Sequence, residues 1–132
     1  MGARAIRADQ GGVRAAHADQ LPFHFADPRD PRIADYLEGT KGTLYAPDVL
    51  RLFAASGYGG IEVEDRLADI THPVLVTTGR HDRTCTVEAA EAIANGIGDA
   101  ELVIFERSGH MTFVEEQDRY IEVVRSFLDR TT

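Results

Sequence analysis

The stretch that decides the fold runs from residue 73 to residue 110. It reads PVLVTTGRHD at 73–82, then a segment with helical periodicity, then ELVIF at 101–105 and SGH at 108–110. Two short, apolar, β-branched runs on either side of a helical segment predict a strand, a crossover helix and a second strand, paired in parallel. Both runs are nearly continuously apolar, as is typical of strands covered by helices on both faces.

Helix signals flank this βαβ unit. Thr86 is a predicted N-cap and Asn95-Gly96 a predicted stop. The apolar stripe of the helix between them is Val87, Ala90, Ile93, Ala94 and Ile97. Further on, Glu115, Glu116 and Asp118 favour the start of a last helix. Its predicted apolar stripe is Tyr120, Ile121, Val124, Phe127 and Leu128.

Two residues that can do proton chemistry follow the predicted strands, Asp82 after the first and His110 after the second. The carboxyl ends of strands form the edge where ligands bind in open α/β sheets. In nucleophilic acyl transfer a histidine takes the proton of the nucleophile and returns it to the leaving group, while a carboxylate orients the ring. Histidine suits this task because its unperturbed pKa is about 6.5. Asp82 and His110 are therefore candidate catalytic residues, although Asp82 could instead simply cap the turn after its strand.

These residues resemble the α/β-hydrolases, specifically the proline iminopeptidase-like branch. LADITHPVLVTTGRHD at 67–82 looks like the family's approach to its acid-bearing strand, and SGHM at 108–111 looks like its histidine loop. The resemblance covers roughly residues 61–130. It implies a partial α/β-hydrolase fold, comprising the last two parallel strands with their crossover and C-terminal helices. It also implies that Asp82 is the triad acid and His110 the triad base, with no metal or organic cofactor.

The resemblance divides the chain into a helical cap-like segment with a poorly ordered N-terminus at 1–60 and a C-terminal α/β-hydrolase segment at 61–132. Residues 1–20 fit either a helix whose partners are missing or a frayed end, and we prefer the frayed end. A helix is expected to run through Ile33 and end near Gly39, and another to open at Pro47 and stop at residues 57–60. The second is expected to turn Val49, Leu50, Phe53 and Ala54 inward.

The nucleophile elbow of the family, G-x-S-x-G, is absent from the sequence. None of the three serines, Ser56, Ser108 and Ser126, follows a predicted strand in an elbow. The chain therefore looks like the back half of a serine hydrolase of small amides or esters, inactive in isolation. The alternative is an inactive truncated fragment or an interaction module. A third reading keeps the fold with an aspartate nucleophile, as in dehalogenases and epoxide hydrolases.

Other candidates have simpler interpretations. His81 is read as a solvent-facing neighbour of Asp82, and Cys85 as an idle thiol rather than a nucleophile. Glu38 or Glu62 would suit recognition of a substrate amine, although solvated surface charge is the simpler interpretation. His17, His24 and His72 lack the regular spacing of metal ligands, so no metal site is predicted.

The composition narrows the classes of partner. Fourteen basic and 22 acidic residues leave a formal net charge of -8, which argues against nucleic acid or a membrane surface. The single cysteine excludes an internal disulfide, and no apolar run would span a bilayer. We therefore expect a cytoplasmic chain that meets a small amide or ester substrate once a nucleophile-bearing half completes it. Unpaired strand edges predict self-association.

Overall fold

The computed structural model describes residues 10–57 and 62–131. These residues form two compact units. One takes its described residues from Met1–Pro22 and Pro31–Ile61, and the other from Phe23–Asp30 and Glu62–Thr132. The 23–30 segment, which the sequence division places in the helical part, thus belongs to the second unit.

The first unit contains three α-helices: α1 (Gln10–Gln20), α2 (Arg32–Gly39) and α3 (Pro47–Ala55). The prediction of a frayed end is wrong for α1, while residues 1–9 lie outside the described part of the chain. Helix α1 has partners that the local pattern did not reveal. The Gln10 amide oxygen accepts from Tyr45 N at 2.8 Å, and Arg14 donates to Thr43 O at 3.2 Å.

The end of α2 and the start of α3 are as predicted. Pro47 occupies the first turn of α3, and Gly57 follows its end with φ of +66°, a conformation that glycine adopts readily. Residues 58–60 of the predicted stop lie outside the described residues. The inward face of α3 is wrong in part, since Val49 is 65% exposed and Phe53 43%. Apolar spacing defines a face, but it does not supply an element to cover that face.

The second unit is built on the predicted βαβ motif, which is confirmed. Strand β1 (Val74–Gly79) pairs in parallel with β2 (Ala100–Phe105), in a register that runs from Val74 opposite Ala100 to Gly79 opposite Phe105. Helix α4 (Val87–Gly96) connects them, and the predicted N-cap Thr86 accepts from Ala89 N. Within the described residues the sheet has these two strands.

Helix α4 packs on both strands and on a 3₁₀-helix, Glu64–Asp69. The last turn of α4 lies so close to Leu67 that a Cβ on Gly96 would be 2.6 Å from its Cδ1. Ala90 and Ile97 are buried as predicted, whereas Ile93 is 42% exposed.

The predicted last helix is in fact two: α5 (Thr112–Glu115) and α6 (Gln117–Thr131). The chain leaves the helical conformation at Glu116. The buried stripe of α6 also differs from the prediction, since Ile121 is 41% and Leu128 50% exposed. Its inward face is half-buried and consists of Tyr120, Val123, Val124 and Phe127. Among the described helices, none combines the length and apolar character that crossing a membrane requires.

Candidate active site

The turn after β1 and the loop after β2 stay together beyond the ends of the strands. Arg80 N donates to Phe105 O and His81 N donates to Ser108 O, both at 2.9 Å. These bonds continue the parallel pairing of β1 and β2 past its last register pair. The two chain segments that carry Asp82 and His110 are therefore joined by backbone hydrogen bonds before any side chain contributes.

Two glycines allow this close approach. A Cβ on Gly79 would lie 2.0 Å from Gly109 O and 2.3 Å from Ser108 O. A Cβ on Gly109 would lie 2.6 Å from His24 O. Among the described glycines only Gly57 has positive φ. Gly109 is therefore required for space at a backbone crossing.

The two predicted catalytic residues meet at this edge. His110 Nδ1 and Asp82 Oδ2 are 2.8 Å apart. Because a carboxylate only accepts hydrogen bonds, the neutral imidazole that fits this contact has its proton on Nδ1 and its lone pair on Nε2. The Asp82 side chain is 4% exposed and that of His110 38%. The carboxylate is thus sheltered while the imidazole is open to solvent, the arrangement that a general base held by an acid requires.

The other oxygen of Asp82 is also occupied. Its Oδ1 accepts from Thr84 N at 2.8 Å and from Cys85 N at 2.9 Å. These bonds close a tight turn after β1 and prevent the carboxylate from rotating. Asp82 therefore presents Oδ2 to the imidazole in a defined direction.

Two carboxylates accept hydrogen bonds from the histidine loop and hold it in place. Glu116, 4% exposed at its side chain, accepts from Ser108 Oγ at 2.7 Å and from Arg107 N at 3.0 Å. Glu115 accepts from Gly109 N at 2.8 Å. The sequence prediction assigned both glutamates to a helix start and missed this function. The usable signal is their spacing, five and six residues after His110, before a helix that they do not begin.

Burial by itself would raise the pKa of Glu116. The hydrogen bonds from Ser108 and Arg107 N, with the positive charges of Arg107 and Arg119, outweigh that effect, so the pKa lies below its ordinary value. Glu116 is therefore held as a carboxylate beneath the loop.

The backbone of residues 23–26, Phe23 to Ala26, lies against the histidine loop. His110 N donates to His24 O at 2.7 Å, and Glu115 Oε1 accepts from Ala26 N at 2.8 Å. The rings of His24 and His110 are 5.2 Å apart between centroids. Sequence reasoning missed this contact, because more than 80 residues separate the two segments along the chain.

Arg83 ties the same segment to the turn that carries Asp82. Its guanidinium donates to Phe25 O at 2.8 Å and Ala26 O at 3.1 Å, with a longer bond of 3.4 Å to Phe23 O. Planar donors in a fixed fork suit several carbonyls at once. The 23–26 segment is thus bonded to the acid turn through Arg83 and to the histidine loop through Glu115.

We predict that Arg83→Ala lowers the free energy of unfolding by about 1–3 kcal/mol, since charge-assisted bonds to three carbonyls are lost. Arg83→Lys should recover part of this loss, because an ammonium reaches fewer of the carbonyls. Urea denaturation followed by circular dichroism measures both. The matched control is Arg66→Ala, whose exposed pair with Asp69 contributes little. Equal midpoints for Arg83→Ala and Arg66→Ala would contradict the role of Arg83.

The other residues considered in the sequence analysis do not contribute side chains to the Asp82–His110 pair. His81 is exposed and enters the site only through its backbone. Glu38 forms an ion pair with Lys41, and Glu62 is exposed. Partial desolvation and the charge of Asp82 raise the pKa of the Cys85 thiol, which disfavours a thiolate nucleophile. Its sulfur nevertheless belongs to a compact group of metal-ligating atoms with Asp82 and His110.

The hydroxyls of all three serines have partners elsewhere. Ser56 donates to Leu52 O at 3.0 Å, and Ser126 accepts from Arg130 at 2.6 Å. Ser108 is fully buried and donates to Glu116. None of these three bonds involves the imidazole of His110.

A parallel βαβ unit with a sheltered aspartate paired to a half-exposed histidine at the carboxyl edge places the chain among the α/β-hydrolases. The comparison with protein families is specific: the profile of an α/β-hydrolase family described as TAP-like protein matches residues 59–132. The chain belongs to this family, and the predicted resemblance and fold class are confirmed.

Individual relatives agree. The chain is 44% identical over 69 residues to a proline iminopeptidase of Saccharolobus solfataricus, a match that covers 52% of this chain and 22% of the relative. It is 30% identical over 130 residues to the AB hydrolase superfamily protein YisY of Bacillus subtilis, covering 88% of this chain and 48% of that protein. The chain thus spans about a fifth to a half of the length of these relatives.

Solved structures extend the likeness to most of the chain. An α/β fold family hydrolase from Bacillus anthracis superposes with a TM-score of 0.74 at 25% identity. The match covers 90% of this chain and 42% of that one. The architecture described above therefore corresponds to part of a complete hydrolase fold.

Proposed function

We propose that this chain is the acid- and base-bearing part of a serine hydrolase that cleaves small amides or esters, with Asp82 as triad acid and His110 as triad base. The observation that carries the proposal is the 2.8 Å contact between His110 Nδ1 and Asp82 Oδ2. This contact lies at the carboxyl edge of β1 and β2, where α/β folds bind their ligands.

The geometry supports a complete set of proton transfers. His110 Nε2 would take the proton of a serine hydroxyl as its oxygen attacks the substrate carbonyl carbon. The imidazolium would then give that proton to the departing amine or alcohol. Water would release the acyl group through the same base. Asp82 would keep the imidazole in the required tautomer and stabilise its charged form.

The nucleophile and the oxyanion donors would come from residues other than these 132. The three serine hydroxyls of the chain are occupied, and none stands in an elbow. In the described sheet β1 pairs on one side with β2 only. A nucleophile-bearing half would add its strand to the other edge of β1. We propose that this nucleophile-bearing half is the partner of the chain.

The substrate class rests on the relatives. One of them, 44% identical over 69 residues, is a proline iminopeptidase. Prolyl amides are consequently the first substrates to test, followed by aryl esters. The choice between a serine and an aspartate nucleophile depends on the complementing half. A fluorophosphonate distinguishes the two, because it labels an activated serine.

The decisive experiment joins residues 59–132 of this chain to the preceding part of the Saccharolobus enzyme in one polypeptide. We expect it to hydrolyse a prolyl arylamide. His110→Ala and Asp82→Asn should each lower kcat by about 10³- to 10⁴-fold. The control His81→Ala, a change in the adjacent exposed histidine, should remain near the parent rate.

The unmodified chain alone should show neither fluorophosphonate labelling nor turnover above free histidine. Stoichiometric serine labelling of that chain would contradict the proposed division of the site. A folded chimera without activity, or one indifferent to His110→Ala, would favour a non-catalytic interaction module instead. Circular dichroism of the chimera separates this result from a failure to fold.

A further inference from the structure

We infer that Asp82, Cys85 and His110 form a binding site for a borderline divalent cation of the Zn²⁺ type, which competes with the acid–base pair. One ligand atom from each residue, a carboxylate oxygen, a thiol sulfur and an imidazole nitrogen, lies within 4.8 Å of the other two. Oxygen, sulfur and nitrogen from these side chains are the donors that Zn²⁺ takes in proteins.

The separations are close to those that the ion needs. Bond lengths of about 2.0–2.3 Å to a tetrahedral Zn²⁺ place neighbouring donors roughly 3.4–3.6 Å apart. The Asp82–His110 pair, at 2.8 Å, would open slightly, and the sulfur, within 4.8 Å of the other ligand atoms, would approach by about 1.2–1.4 Å at most. Rotation of the Cys85 side chain, which is exposed, can supply this movement.

The turn after β1 is already organised for such a site. Asp82 Oδ1 accepts from the backbone N–H groups of Thr84 and Cys85. These bonds occupy Oδ1 and leave Oδ2 to face His110. They also hold the backbone of Cys85 next to the Asp82 carboxylate. Outer hydrogen bonds of this kind orient ligating carboxylates in metal sites. The half-exposed imidazole and the exposed thiol leave an open side, where a water molecule would complete four-coordination.

A basic side chain in the same turn has other partners. The guanidinium of Arg83, in the same turn, donates to the carbonyls of Phe25 and Ala26. On binding, the thiol would lose its proton to solvent and the Nδ1 proton would move to Nε2, so that both atoms can donate a lone pair. A complex through Nδ1 and Oδ2 would use the same atoms that form the acid–base hydrogen bond. A metal-bound chain has no general base.

Cobalt(II) tests the site because thiolate ligation gives it a sulfur-to-metal charge-transfer band. We expect the full, reduced chain to bind one Co²⁺ with that band and with the intense visible absorption of a tetrahedral ion, and Zn²⁺ to displace it. Cys85→Ser should abolish the band. His110→Ala and Asp82→Asn should weaken Co²⁺ binding by about 10- to 100-fold or more. The controls His81→Ala and His72→Ala should match the parent chain.

A charge-transfer band that survives in Cys85→Ser, equal affinity in His110→Ala, or no binding at millimolar Co²⁺ would each overturn the site. Circular dichroism of every variant checks that the fold persists. The readout needs no nucleophile and no turnover. The experiment therefore tests the metal site independently of the proposed hydrolase activity.

Discussion

Replacing Gly79 with alanine is expected to lower the free energy of unfolding by more than about 3 kcal/mol, at the upper end for overpacking. The new Cβ would lie 2.0 Å from Gly109 O and 2.3 Å from Ser108 O. Both atoms are backbone, so a side-chain rotation cannot relieve the clash. The end of β1 would have to separate from the histidine loop, and the Asp82–His110 contact would be lost with it.

Urea denaturation followed by circular dichroism measures this loss. The matched control is Gly98→Ala, since nothing lies within 4 Å of a Cβ there and its φ is ordinary. We expect the control to stay within about 0.5 kcal/mol of the parent chain. A Gly79→Ala midpoint equal to that of Gly98→Ala would show that the two loops do not cross at this point.

Glu116→Ala is expected to lower the free energy of unfolding by about 2–5 kcal/mol. The substitution leaves the fully buried Ser108 hydroxyl and the Arg107 N–H without their acceptor. It also removes the charge that Arg107 and Arg119 face. In the parent chain no buried side-chain polar atom of the described residues lacks a partner, so the variant introduces an unsatisfied group where none existed.

The control is Glu106→Ala. This glutamate forms a two-bond pair with Arg80, but the pair is exposed, and exposed pairs contribute little. We therefore expect a urea midpoint near that of the parent chain. If Glu106→Ala were as destabilising as Glu116→Ala, burial would not be the reason for the effect at Glu116.

Glu116 also predicts a pH dependence. Its pKa in the folded chain is below the ordinary value, so the folded state binds its proton less readily than the unfolded state does. The stabilisation is present above the unfolded pKa of about 4.3 and is lost as the pH falls through the folded pKa. Urea midpoints measured downward from neutral pH should therefore fall less steeply in Glu116→Gln than in the parent chain. Parallel curves would contradict this prediction.

Local pattern was sufficient for the central motif. Two nearly continuous apolar runs with a helical period between them, at residues 73–110, placed both strands and the crossover helix, and the N-cap Thr86 is where the sequence predicts it. Parallel pairing follows from a strand–helix–strand order, because the crossover helix returns the chain to the end of the sheet where the first strand began. That edge brings Asp82 and His110 together, as predicted from their positions after the two strands.

The burial of individual side chains was harder to predict from the sequence pattern. The spacing of Ile93, Ile121 and Leu128 marks helix faces, yet these residues remain partly exposed. A helical period reports the direction of a side chain, while its burial depends on which other element lies opposite. The acidic run at Glu115 and Glu116 likewise agrees with a helix start, although its oxygens bond to the amides of a neighbouring loop.

The sequence by itself determined the parallel unit, its helices and the two residues that meet at its edge, because each depends on neighbours within one local segment or on the order of segments. Only the tertiary structure decided what fixes that edge: the Gly79–Gly109 crossing, the support from Glu115 and Glu116, and the 23–26 segment bonded to Arg83. These contacts join residues distant along the chain, and hydrogen bonds to backbone groups leave little trace in residue type.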